Sequence, residues 1–294
     1  MKARDFLVRW LDWTVLALLA ARWRRRENGR VLPFFLLVFA LSLPFWLIGA
    51  VAGIRLLPGL PISSLMFVCP AMAAAILVYG ANGTEGVRAL LRRSFDHGRI
   101  GTKIWYAPIL LLIPCLTVLA YGLMLLAGAP LPSPEFPVLA LPAMLLAFFV
   151  SALGEELGWS GYATDPLQDR WGALRAGLLL GLVSAVWHAV PLAQAGRSAA
   201  WVAWWCLFTV AGRVLIVWIY NNAGKSVFAA ALFHATSNVS WQLFPNSGSH
   251  WDPSIVAPIV VAAAAIVTFL WGPRTLVRYR YGPRHEQGND DPAM

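Results

Sequence analysis

The sequence predicts an all-α membrane protein, a bundle of about eight transmembrane helices with both termini cytoplasmic. Three observations lead there. Hydrophobic residues make up 59% of the chain and charged residues 13%, against roughly 25% charge in soluble domains. Apolar runs long enough to cross a hydrocarbon core of about 30 Å recur at 31–53, 61–80, 104–128, 137–158, 172–190, 198–220, 226–244 and 254–271. The cations alternate between loops. Segments 1–30, 86–103, 165–175 and 274–284, with Lys225, hold 20 of the 23 Lys and Arg residues, whereas the opposite loops hold Arg55 and Arg197. Excess positive charge marks the cytoplasmic side, and placing both termini there requires an even number of spans.

Taken in order, residues 1–30 read as a cytoplasmic amphipathic segment. Asp5, Arg9 and Asp12 fall on one stripe and Phe6, Trp10 and Trp13 on another. A signal peptide fits poorly, because acidic residues precede its apolar stretch and Arg22 to Arg26 follow it. A polytopic helical membrane domain occupies 31–273, and 274–294 form a basic, partly disordered cytoplasmic tail. Strands are not expected, since the runs lack the alternation of a lipid-facing barrel. The loop around 86–95 reads as a second basic amphipathic piece lying on anionic headgroups. The net charge of +9 is therefore an orientation signal, and nucleic acid is not an expected partner. Cys69, Cys115 and Cys206 are dispersed one to a run with no metal or disulfide spacing. Trp46, Trp105, Trp201, Trp204, Trp218 and Trp271 fall near run ends, where indole rings anchor at the interface.

Against this background, ionisable residues inside the runs stand out, because charge at bilayer depth is costly and marks function. Glu155 and Glu156 close the fourth run in GEELGWSGY, 154–162. Neighbours on a helix point about 100° apart, so the two carboxylates divide the work: one suits a general base, the other an orienter or partner of a cation. The plainer account ends the helix there and leaves both carboxylates wet. His188 closes the fifth run in VWHAVP, 186–191, where a single imidazole is more often structural. His234 and Asn238 are four residues apart and share one helix face; a hydrogen bond between helices is their plainer role.

These residues resemble the CPBP family of intramembrane proteases, named for CAAX processing and bacteriocin processing and also called Abi. Its motifs are a Glu-Glu pair with an Arg four residues after the second Glu, a Phe-x-x-x-His, and a His-x-x-x-Asn or Asp. Glu155 and Glu156 match the first pair, His188 the second motif's His, and His234 with Asn238 the third. Ser160 stands where the family has Arg and Ser184 where it has Phe. The resemblance implies a peptide or membrane-protein substrate and hydrolysis within or beside a cell membrane, in a multi-pass protein of the bacterial cytoplasmic membrane. In that reading Glu155 takes a proton from water, His188 positions or shares it, and Glu156 orients the site. His234 and Asn238 donate to the developing oxyanion.

A metalloprotease reading stays open at this point, since Glu155, His188 and His234 are also a catalytic Zn2+ set, although no HExxH helix occurs. No cofactor is required if the carboxylate acts alone. Two non-proteolytic readings compete: a non-catalytic immunity or scaffolding protein of the same fold, and, more weakly, a proton-coupled transporter.

Two further expectations concern geometry. Arg213, inside the sixth run, is expected to turn inward onto Glu156 and supply the charge missing at Ser160, its plainer fate being to snorkel to headgroups. Counted from Asp165 and Lys225, Glu155 and His234 lie roughly 15 Å deep, but His188, sixteen residues after Gly172, lies roughly 24 Å along its helix. The fifth helix must then start well inside the cytoplasm or tilt.

Overall fold

The computed structural model describes residues 31–57, 60–134, 137–244 and 248–277. The proposed amphipathic segment at 1–30 and almost all of the tail lie outside these. Helices dominate: α1 Val31–Ala52, α2 Cys69–Arg92, α3 Tyr106–Leu126, α4 Leu141–Gly158, α5 Thr164–Trp171, α6 Ala173–Gln194, α7 Ala199–Asn222, α8 Val227–Leu243 and α9 Pro253–Trp271. Apart from α5, each corresponds to one of the eight apolar runs, and the protein is an all-α membrane bundle. Seven of the helical stretches are long and apolar enough to cross a membrane. The remaining one, α8, has 17 residues and spans only about 25 Å.

The start of α8 lies inside the protein. Asp96 accepts hydrogen bonds from the Ser226 hydroxyl at 2.7 Å and from the backbone N–H of Val227 at 3.2 Å and of Phe228 at 3.0 Å. A carboxylate there satisfies orphan donors and complements the helix dipole. Ser226 is itself the N-cap, accepting from the N–H of Ala229.

Two boundaries and one added element differ from the sequence reading. The fourth run does not end at 158: α4 passes through a π-helical turn, Trp159–Ala163, directly into α5. The second run is likewise longer, beginning as the 3-10 turn Ile62–Val68 and continuing as α2 to Arg92, with a kink at Gly83. The segment at 86–95 is therefore the end of a helix, and Arg93 points into the bundle instead of onto headgroups. A short antiparallel hairpin, β1 Arg55–Leu57 with β2 Leu60–Pro61, follows α1 where no strand was expected.

The loops gather at two ends. At one, Arg93 donates to the carbonyl of Lys225, Arg99 to that of Gly224 and Asn221 to that of Thr275, while Lys225 pairs with Asp165 at 3.0 Å. At the other, Gln194 donates to the carbonyl of Trp46, and Trp251 packs against Trp201, Phe208 and Trp241. The tryptophans expected at interfaces form clusters, Trp105, Trp218 and Trp271 stacking edge to face at the first end. Trp218 itself is buried.

Helices α6 and α7 pack together most extensively, α7 also against α9, and α4 against α2 and α8. Between apolar helices in lipid, close approach replaces the hydrophobic effect, and small residues allow it. A Cβ on Gly158 would lie 2.5 Å from the Pro70 carbonyl oxygen, and one on Gly181 would lie 2.7 Å from the Val210 Cα. Gly158→Ala must push α4 off the backbone of α2. We expect a stability loss of about 1–3 kcal/mol, read as a lowered Tm of the detergent-solubilised protein.

Candidate active site

The site forms where α4, α6, α7 and α8 meet, and all five residues singled out in the sequence come to it. Glu155 and Glu156 are buried at 4% and 0% exposure, so the wet-carboxylate account fails. The cause is the continuation of the helix: the π turn and α5 carry another thirteen residues beyond Gly158. Glu155 is then as far from the Trp171 end as His188 is from the start of α6.

The same continuation removes the discrepancy in depth. From Asp165 the chain runs up ten residues to Glu155, and down seven to Gly172 before rising sixteen to His188. The net rise of His188 is nine residues, and that of His234 above Lys225 is also nine. The three groups meet at one level without unusual tilt. His188 Nε2 lies 3.8 Å from Glu155 Oε1, and His234 Nδ1 lies 2.9 Å from Glu156 Oε1.

The two carboxylates do diverge. Glu156 is saturated: Arg213 Nη1 donates to both of its oxygens, at 2.8 and 2.7 Å, His234 contributes Nδ1, and the Ser160 hydroxyl donates to Oε2. Arg213 is 3% exposed and does not snorkel. Ser160, at the position of the family's Arg, still serves the same carboxylate from one turn away. Glu155 instead lines a cavity of about 200 Å³, shared with His188, Arg213, His234 and Asn238. Its Oε2 is buried and accepts no hydrogen bond from the described residues, a costly arrangement that native proteins retain for a reason.

The histidines have fixed orientations. A carbonyl can only accept, so the 2.9 Å contact between His188 Nδ1 and Ser184 O places the proton on Nδ1. Nε2 then faces Glu155, and in the neutral ring it is an acceptor. The ring sits between Trp187 and Trp205, with centroids 4.6 and 5.0 Å away, so two tryptophans give the aromatic packing that Ser184 lacks. Trp187 is tied down in turn, its indole N–H donating to Ser42 of α1 at 2.7 Å. Sequence reasoning gave no role to Trp205, Trp187 and Ser42, because nothing separates a tryptophan packed beside the His188 ring from one at a membrane interface until the helices are placed. It also missed Arg93, which donates to the Gly161 carbonyl at 2.6 Å and to the Tyr220 hydroxyl at 2.8 Å. That bond braces the π turn immediately after the carboxylates; such turns frequently mark functional sites.

Among the described residues no group of three His, Cys, Asp or Glu converges in a way that could hold a metal ion. Glu155, His188 and His234 belong to one site, but His234 spends its Nδ1 on Glu156 and Glu155 turns toward His188.

Comparison with known proteins agrees with the residues. The family model described as type II CAAX prenyl endopeptidase Rce1-like matches residues 137–240, the stretch from just before α4 through Ser240 of α8. The CAAX prenyl protease 2 of Methanococcus maripaludis is 28% identical over 265 residues, which cover 80% of this chain and 92% of that protein. These similarities support a CPBP-type protease, and the seven long apolar helical stretches a multi-pass membrane protein.

Proposed function

We propose that the protein is a CAAX-type endopeptidase that hydrolyses a peptide bond with water activated by Glu155, the oxyanion being held by His234 and Asn238. The observation that carries this reading is the unequal provision for two adjacent carboxylates. Glu156 is locked by Arg213, His234 and Ser160, whereas Glu155 faces the cavity with one oxygen unbonded. A saturated carboxylate orients; an unsaturated one beside a histidine can accept a proton.

The 3.8 Å separation of Glu155 Oε1 from His188 Nε2 suits two acceptors sharing the hydrogens of one water at about 2.8 Å from each. The water's lone pair then points at the scissile carbonyl. As the oxygen–carbon bond forms, Glu155 takes the proton, and the carbonyl oxygen becomes an oxyanion facing Asn238 and His234. His234 donates from Nε2 only as an imidazolium, with Glu156 against its Nδ1 as counter-ion. With Glu155, Glu156, Arg213 and His234 charged in this way the cluster is neutral, which lowers the cost of burying it. When the carbon–nitrogen bond breaks, the proton passes from Glu155 to the leaving amine.

The positions that depart from the family motifs are compensated, Ser160 by Arg213 and Ser184 by Trp187 and Trp205, and no observation favours the immunity, scaffolding or transport readings. A quenched-fluorescent peptide ending in a farnesylated CAAX-type sequence is the test substrate, after the activity named for the Methanococcus relative. Purified protein should cleave it with far less than one equivalent of transition metal and tolerate strong chelators. Asn238→Ala should lower kcat by about 10-fold to 100-fold, less than a full oxyanion donor in comparable sites, because His234 remains. Stoichiometric zinc lost together with activity in His234→Ala would overturn the metal-free mechanism.

A further inference from the structure

We infer that Arg93 and Asp96 are positioning residues for the reaction: the short 3-10 segment Arg93–Arg99 fixes how far α8 sits along α4, and so brings His234 to Glu156. This rests on the proteolytic reading of the same site. Glu155 and Glu156 ride on α4, whereas His234 and Asn238 ride on α8. Where the two helices touch, the buried residues are Ala152, Ala231 and Ala235. Such small side chains allow close approach but raise only shallow ridges, so the seam itself resists sliding weakly. The site tolerates little sliding. The 2.9 Å contact between His234 Nδ1 and Glu156 Oε1 leaves the hydrogen-bonding range once stretched by roughly 0.5 Å.

The segment grips both helices at once. The kink at Gly83, with φ 62° and ψ −156°, carries the end of α2 back to α4. A Cβ on Gly158 would meet Pro70, and one on Gly161, three residues on, would meet Leu90 Cδ1 at 3.4 Å. Arg93 follows and donates to the Gly161 carbonyl at 2.6 Å, inside the π turn, where the regular helical ladder is interrupted. The same guanidinium donates to the Tyr220 hydroxyl at 2.8 Å and the Lys225 carbonyl at 2.9 Å, tying α4 to the end of α7 and the loop before α8. Asp96 then holds the start of α8 itself, through the Ser226 hydroxyl and the N–H groups of Val227 and Phe228. Arg99 closes the grip by donating to the Gly224 carbonyl at 2.9 Å. Gly224, at φ 67°, lies so near that a Cβ there would clash with the Arg99 carbonyl oxygen. A planar guanidinium can serve three acceptors in fixed directions, which an ammonium cannot.

The distance from this grip to the chemistry is short. Glu156 is five residues from Gly161 and His234 seven from Val227, roughly 8 and 10 Å of helix. Without the Arg93 bonds α4 and α8 are free to shift along their alanine seam, and a misplacement of about 1 Å costs about 100-fold in rate. The apolar walls supplied by Phe148 and Trp241 hold substrate by non-directional attraction, which survives such a shift. The loss therefore falls on kcat and not on KM.

The test uses the purified full chain and the farnesylated CAAX-type peptide. Arg93→Met should lower kcat about 10-fold to 100-fold with KM changed by less than about 2-fold, and Asp96→Asn should do the same to a smaller degree. Arg93→Lys, which keeps the charge and reaches part of the acceptor set, should recover at least about 3-fold over Arg93→Met. Asp252→Ala is the control for loosened structure: it removes the N-cap of α9, a helix with no residue in the cavity wall, and should lower Tm with kcat unchanged. Register is read without substrate in a chain whose Cys69, Cys115 and Cys206 are replaced by Ala, by combining Ala152→Cys with either Ala231→Cys or Ala235→Cys. Disulfides form only over a narrow range of Cα separations, so adding Arg93→Met should change the ratio of the two crosslinks at least about 3-fold. Wild-type kcat in folded Arg93→Met, an equal kcat loss in Asp252→Ala at equal loss of Tm, or an unchanged crosslink ratio would overturn the inference. If Arg93→Met does not fold, Arg93→Lys and Asp96→Asn decide by the same criteria. Absence of cleavage by the wild-type protein would instead defeat the proteolytic reading, and the crosslink ratio would still decide the register.

Discussion

Glu155→Gln is expected to abolish peptide cleavage, lowering kcat by at least about 10³-fold, because the amide cannot accept the water's proton and no neighbour is placed to replace it. General base catalysis contributes about 10²-fold to 10⁴-fold, and His188 Nε2, 3.8 Å away, holds only the other hydrogen. The substitution is nearly isosteric and exchanges a buried charge for a neutral amide, so the Tm of the solubilised protein should hold or rise. That combination separates chemistry from folding. Native peptide termini, compared in membranes containing wild-type protein or this variant, give the same readout without a known substrate. Full turnover by purified Glu155→Gln would refute the proposed base.

Arg213→Met is the second large effect, and it falls on both stability and activity. The guanidinium is 3% exposed and reaches both oxygens of a fully buried carboxylate. Removing one partner of such a pair costs about 3–5 kcal/mol, chiefly because the other charge stays buried. Glu156 would then rely on His234 and Ser160, and His234 would be drawn from its oxyanion position. We expect cleavage to fall at least about 100-fold, the equivalent of about 2.7 kcal/mol, together with a clear drop in Tm. Adding Ser160→Arg should restore part of both, since residue 160 lies one turn from Glu156 and already touches it. A fully active Arg213→Met protein would show that the charge has no role.

Much of this was legible in the sequence because the bilayer penalises polarity so heavily. Glu155, Glu156, His188, Arg213 and His234 stand out in apolar runs, and an interior position leaves each of them few partners. The end of α4 was not legible. Ser160, Thr164, Asp165, Gln168 and Asp169 give 159–171 the composition of a loop, and it is helical because tertiary partners absorb that polarity: Arg93 at Gly161, Lys225 and Tyr220 at Asp165, Asn221 at Gln168. One wrong boundary there produced the apparent conflict in depth. Arg93 was hidden for a related reason. In a basic, amphipathic stretch nothing distinguishes the one arginine that turns inward from Arg88 and Arg92, which stay exposed.

The position of Arg213 also constrains how such a chain can arise. Where the CPBP motif has a cation at the position of residue 160, this chain has Ser160 and meets Glu156 with Arg213 from another helix. Losing an Arg at 160 before gaining one at 213 is the costly order, because a form with neither arginine leaves Glu156 with only His234 and Ser160 at the centre of the bundle. The less costly order is gain at 213, then loss at 160, passing through a form with both. Positions 160 and 213 should therefore co-vary across relatives although they are far apart in sequence, and a pattern that insists on arginine at the fourth residue after the second glutamate will pass over descendants whose reaction centre is intact.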